Sequence, residues 1–251
     1  MSQPPLVAVA HGSRDPAAAV TVSSLMTEVR RQRPGLTVEC CFLEHASPSL
    51  PEAIAAVGPG AVVVPLLLTA AFHSSIDLPA QLDAVDTSAV QACVLGPDPL
   101  LLAGLERRLA EVGVVPGDPR TAVVLAAAGS TDPAARQTIR GLARTWAARG
   151  WWAVEPAYAS AGEPTVTEAV DALRQRGAAR VAVASYLLGP GLFADRVAAS
   201  GADVVSAPLA DAPELAAVIL ERYAAATAPG AWSISGPAPP PSSGWRRPRS
   251  A

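Results

Sequence analysis

Short runs of apolar residues alternate along this chain with longer stretches in which apolar positions return every three or four residues. "LVAVA" (6–10) is apolar throughout and predicts a strand buried on both faces. "AAAVTVSSLMTEVRRQ" (17–32) has helical spacing and predicts an amphipathic helix. The alternation continues with "TVECCFLE" (37–44) as a strand, "SLPEAIAAV" (49–57) as a helix and "AVVVPLLLTA" (61–70) as a strand. "DLPAQLDAV" (77–85) reads as a helix, "AVQACVL" (89–95) as a strand, and "PLLLAGLERRLAEVG" (99–113) as a helix closed by Gly113. Pro65 falls inside the third strand and predicts a bulge or an edge position there, since proline gives no N–H to a ladder. Fully apolar strands joined by helices imply a parallel sheet covered on both faces.

After a turn-rich break, "VPGDPR" (115–120), the pattern starts again. Gly12-Ser13 and Asp15-Pro16 return as Gly129-Ser130 and Asp132-Pro133, 117 residues on. "FLEHASPSLPEAI" (42–54) returns as "YASAGEPTVTEAV" (158–170), and "PLLLTAAFHS" (65–74) as "SYLLGPGLFA" (185–194). Three echoes in one order at nearly one offset make the chain a tandem duplication. The expected fold is α/β: two tandem similar units, 1–116 and 120–227, each a parallel sheet of about four strands flanked by helices, with a cleft between them. The last helix is expected within "DAPELAAVILERYAAAT" (211–227). Residues 228–251 are rich in Pro, Ser, Gly and Arg and are expected to be a disordered tail.

Composition narrows the classes. Half of the 251 residues are hydrophobic and 16% are charged, enough for a packed core. All 19 basic residues are Arg, which reflects codon usage rather than chemistry. A net charge of −3 argues against a nucleic-acid partner. No apolar run is long enough for a membrane span, and the start, "MSQPP", lacks the features of a signal peptide, so a cytoplasmic location is expected. Cys40, Cys41 and Cys93 form no CxxC and are expected to be small buried hydrophobes.

All three histidines lie in the first repeat, each after one of its first three strands: His11, His45 and His73. The C-terminal ends of parallel strands share one edge, where ligands bind. The rings and Glu44 are therefore expected at one mouth, with Arg14 and Asp77 nearby. The second repeat keeps the turn glycines but has Ala128 for His11, Ser160 and Ala161 for Glu44 and His45, and Phe193 for His73. Residues needed only to hold the turns would be needed in both copies, so one functional site is expected, in the first unit. Ser13 lacks a G-x-S-x-G elbow, and "HGSRDP" has one glycine and no lysine, so hydrolase, P-loop and dinucleotide patterns all fail. Imidazole with carboxylate, and no CxxC, suits a divalent transition metal at an open site completed by a substrate.

At "AHGSRDP", "FLE…PSL" and "VVVPLLLTAAFHSSIDLP", from residue 5 to about 226, the chain resembles the sirohydrochlorin chelatases in their two-repeat form. The resemblance implies a lyase that inserts Fe2+ or Co2+, with Ni2+ also considered, into sirohydrochlorin without ATP, in siroheme or cobalamin biosynthesis. The metal is then a substrate and no organic cofactor is expected. It implies His11 and His73 as metal and catalytic residues, with Glu44 as a third catalytic residue. Ser13, Arg14, Thr69 and Phe72 are expected against the macrocycle, with Arg196 a further carboxylate contact and His45 and Asp77 as neighbours. His45 stands where the family usually has an apolar residue, and Ser74 and Ser75 where it tends to have a basic or bulky polar one. A monomer is preferred over a homodimer, the alternative left open, since duplication supplies internally what a half-length chain needs a dimer to build. A non-catalytic metal or tetrapyrrole carrier, and an interaction protein with a degenerate site, are the alternatives.

Overall fold

The computed structural model of the chain describes residues 3–69, 78, 81–82, 85 and 88–228. All of the expected tail beyond Ala228 lies outside the described residues, as does most of the helix expected over 77–85, whose described positions are helical. The first unit runs β1 (Leu6–Ala10), α1 (Pro16–Gln32), β2 (Val38–Phe42), α2 (Leu50–Val57), β3 (Val62–Pro65), β4 (Val90–Gln91) and α3 (Pro99–Glu111). The second runs β5 (Thr121–Ala127), α4 (Pro133–Ala147), β6 (Ala153–Tyr158), α5 (Val166–Gln175), β7 (Arg180–Tyr186), α6 (Leu192–Ala198), β8 (Val204–Val205) and α7 (Pro213–Thr227). The two parallel four-stranded sheets have the same order, β2-β1-β3-β4 and β6-β5-β7-β8.

Local chemistry explains the elements, and the duplication repeats it. Asp15 accepts from the Ala17 N–H and Asp132 from the Ala134 N–H, capping α1 and α4 one residue before a proline that needs no partner. The Ser13 hydroxyl accepts from the Asp15 N–H and the Ser130 hydroxyl from the Asp132 N–H, both at 3.1 Å. Ser49–Glu52 and Thr165–Glu168 form matching capping boxes at α2 and α5.

The third strand differs from the expectation. It ends at Pro65 and lies between β1 and β4, so Pro65 marks neither a bulge nor an edge but the last position of an inner strand. The apolar residues after it leave the sheet for the loop 66–69. β4 is also shorter than 89–95, and Cys93 in the loop beyond it is exposed, contrary to the expectation for all three cysteines. Cys40 on the edge strand is half-buried; Cys41 is buried, and burial pushes its thiol up to about 12.

Each sheet is covered on both faces, but the helices of the central layer are exchanged. α3, at the end of the first unit, packs on β7 of the second sheet. α7, at the end of the second, packs on α1 and β3 of the first. Leu25 and Met26 of α1, Leu101 and Leu105 of α3, Ile139 and Trp146 of α4 and Leu215 and Ile219 of α7 therefore share one apolar core between the sheets. Polar links fasten the exchange: Arg107 pairs with Glu214 at 3.1 Å and Arg108 with Asp211 at 2.8 Å. Arg222 of α7 donates to the carbonyls of Val94 and Leu95 and to Asp98 at 2.8 Å. Asp98 is buried and also caps α3.

Removing the Arg222 guanidinium would strand a buried carboxylate and two carbonyls. Arg222→Ala is therefore expected to cost ~3 kcal/mol, read as a lower urea midpoint. Arg31→Ala, which breaks a surface pair with the half-buried Glu28 on α1 but leaves Gln32 donating to that carboxylate, should lower the midpoint far less.

Candidate functional site

The strand ends decide where chemistry can happen. The C-terminal ends of β1 and β3, and of β5 and β7, open on one cleft of about 470 Å³ between the units. Each pair straddles the point where the strand order reverses, the usual ligand position in a parallel sheet. The first unit contributes His11, Gly12 and Ser13 after β1 and Leu66 to Thr69 after β3. The second contributes Ala128 to Ser130 after β5 and Leu187 to Ala194 after β7. Val22, Phe42, Ile139, Tyr158 and Tyr186 complete mainly apolar walls. Leu192 and Phe193 are 62% and 40% exposed, so this wall presents large apolar side chains to whatever enters.

The turn that carries His11 is tightly built. The N–H groups of Leu43 and Glu44 donate to the carbonyls of Ala10 and His11 at 3.0 and 2.9 Å, locking the exit of β1 to that of β2. Gly12 has φ 96°, and a Cβ there would sit 1.8 Å from the Glu44 carbonyl oxygen. Only glycine lets the two backbones approach this closely. His11 is consequently held at the lip of the cleft with its ring exposed.

The second unit repeats the turn without the functional groups. Gly129 has φ 98° and faces the Ala161 carbonyl, but Ala128 stands in the place of His11. The Ser160 hydroxyl, in the place of Glu44, donates to the Ala128 carbonyl at 2.6 Å and so closes the copy on itself.

Of the residues expected from sequence, His11, Ser13 and Thr69 line the cleft. Glu44 and His45 sit beside the His11 turn, exposed, with His45 Nε2 3.4 Å from Glu44 Oε2 and His45 at φ 64°. Arg14 is exposed and stands outside the cleft lining. Arg196 donates to the Ala159 carbonyl at 3.0 Å, which braces the backbone after β6 instead of facing the cleft. Phe72, His73 and Asp77 lie outside the described residues. Among the described residues no group of three or more His, Cys, Asp and Glu side chains gathers as a metal site.

Three cleft residues escaped the sequence reading. Tyr186 donates to the Leu68 carbonyl at 2.9 Å, tying the second unit to the loop after β3. Burial, then the nearby Asp98 charge, pushes its hydroxyl well above the ordinary phenol range, so it stays a donor. Tyr158 donates to the Arg136 carbonyl at 3.2 Å, and burial raises its pKa too. Arg136 itself lines the cleft, at the place that the 117-residue offset assigns to Ala19. The second repeat lacks the polar residues of the first at its turns but carries this arginine where the first has Ala19.

No helix among the described residues is long and apolar enough to cross a membrane. A family model described as CbiX matches residues 5–112 and 122–226. The sirohydrochlorin cobaltochelatase of Priestia megaterium is 30% identical over 201 residues, covering 75% of this chain and 65% of that protein. The sirohydrochlorin ferrochelatase of the same organism is 27% identical over 201 residues, covering 75% of this chain and 74% of that protein. The solved structure of SirB from Bacillus subtilis with Fe3+ matches with a TM-score of 0.74 at 23% identity, covering 88% of this chain and 94% of that one. That likeness carries the fold: two tandem α/β units.

Proposed function

The chain belongs to the CbiX family, and on that premise we propose that it is a sirohydrochlorin chelatase, a lyase that inserts Fe2+ or Co2+ into the macrocycle without ATP. The observation that carries this reading is the one-sided cleft, with an imidazole at one lip and an apolar wall opposite. A flat conjugated ring needs apolar surfaces to lie against, and a divalent metal needs a nitrogen donor at the edge of that surface.

In this account His11 and His73 hold the incoming metal as substrate. Glu44 either supplies an oxygen as the third ligand or orients an imidazole, as carboxylates beside metal-binding histidines do. As the metal leaves for the macrocycle it displaces two pyrrole protons; the imidazole it frees accepts one of them and solvent takes the other. Ser13 and Thr69 meet the rim of the macrocycle, and the metal passes to its four nitrogens. The second unit serves as the wall. The names of the two Priestia megaterium relatives, one a cobaltochelatase and one a ferrochelatase, support both metals.

Metal-free sirohydrochlorin titrated anaerobically into the purified chain should bind at one equivalent, as the cleft between the units would take it. Adding Co2+ to that complex should then convert the spectrum to the metallated form. A macrocycle that does not bind, or that stays metal-free beside bound protein, contradicts the reading.

A further inference from the structure

We infer that Arg136 is the anion anchor of the cleft: it takes a carboxylate of the macrocycle and so fixes which edge of the ring faces His11. The inference rests on the chelatase reading and adds a positioning residue to it.

Arg136 is the one Arg, Lys, Asp or Glu side chain lining the cleft among the described residues. Its Nη1 donates to the Ser130 carbonyl at 2.6 Å, and no carboxylate among the described residues pairs with it. A guanidinium carries five N–H donors and stays charged at any working pH, so most of its hydrogen-bonding capacity is unspent. Arginine's planar fork matches a carboxylate in two-point geometry. The side chain is also set in place beforehand. The Ser130 carbonyl fixes its head, the Tyr158 hydroxyl donates to its own carbonyl, and half-burial limits its rotamers.

Position adds the direction. Ser130 belongs to the turn after β5 that copies His11-Gly12-Ser13 after β1, so Arg136 is held by the second unit's side of the cleft and His11 by the first unit's. The first repeat has Ala19 at this place, so neither turn nor helix requires an arginine. A sirohydrochlorin ring bears acetate and propionate groups around its edge, and among the described residues this mainly apolar cleft has one arginine to receive them.

The alternative role is a brace for the turn at Ser130. Arg136→Gln separates the two, because an amide can still donate to the Ser130 carbonyl but carries no charge. Wild type, Arg136→Lys and Arg136→Gln would be titrated with metal-free sirohydrochlorin, and insertion kinetics followed with Co2+. We expect Arg136→Gln to raise Kd and KM by about tenfold with a smaller change in kcat, and to flatten the salt dependence of binding. Arg136→Lys should recover most of the affinity. An Arg136→Gln chain that binds and inserts like wild type, with the same salt dependence, overturns the inference and leaves the chelatase reading standing. A wild-type chain that binds no sirohydrochlorin overturns both.

Discussion

His11→Ala will lose metal insertion by about a hundredfold or more, the range that removal of a metal-handling or proton-accepting imidazole produces. Its stability should not change, because the ring is exposed at the cleft lip and the turn is held by backbone hydrogen bonds. Insertion rate and thermal midpoint measured on one preparation separate the two quantities. His45→Ala is the control. That ring lies outside the cleft lining, 3.4 Å from Glu44, and its loss should change the rate by a few-fold at most. An unchanged rate in His11→Ala would place the metal chemistry elsewhere.

Gly12→Ala will damage both fold and activity. Its Cβ would fall 1.8 Å from the Glu44 carbonyl oxygen, in a backbone region where φ is 96°. The strain alone is worth ~1–3 kcal/mol, and the clash must be relieved by moving backbone, since no flexible side chain stands in the way. What moves is the contact between the His11 turn and Glu44, so the surviving folded fraction should also insert metal poorly. Gly129→Ala meets the Ala161 carbonyl at 2.4 Å in the copied turn and should cost comparable stability. That turn carries Ala128, so activity per folded molecule should fall much less. Urea midpoints and rates normalised to folded protein test the pair. Equal activity losses would mean that the two turns contribute alike, against a site in the first unit.

The sheets were legible because parallel strands buried on both faces are written as unbroken apolar runs, and the repeat in "HGSRDP" and "AGSTDP" announced the second unit. Caps were legible for a similar reason: Asp15 and Asp132 stand directly before prolines. The end of β3 was misplaced because the apolar run continues beyond Pro65, and residues that line a cleft are as apolar as residues in a strand. The exchange of α3 and α7 left no sequence signal. A helix buries the same face whichever sheet it meets, and the pairs that decide it, such as Arg222 with Asp98, lie 124 residues apart. His11 was legible from its absence in the copy. Arg136 is not legible, because a lone arginine in an amphipathic helix reads as solvated surface until the cleft is seen around it. Arg196 shows the converse: a cation placed well in sequence is consumed by the Ala159 carbonyl.

The central claim is that the cleft catalyses insertion rather than merely holding its ligands. The most direct measurement is the initial rate of sirohydrochlorin metallation, anaerobically, with and without the chain at the same macrocycle and metal concentrations, for Co2+, Fe2+ and Ni2+ in turn. The account predicts a rate far above the protein-free control with Co2+ or Fe2+, lost in His11→Ala. A macrocycle that binds, shifts its spectrum and then takes up metal no faster than the control would contradict it, and would make the chain a carrier.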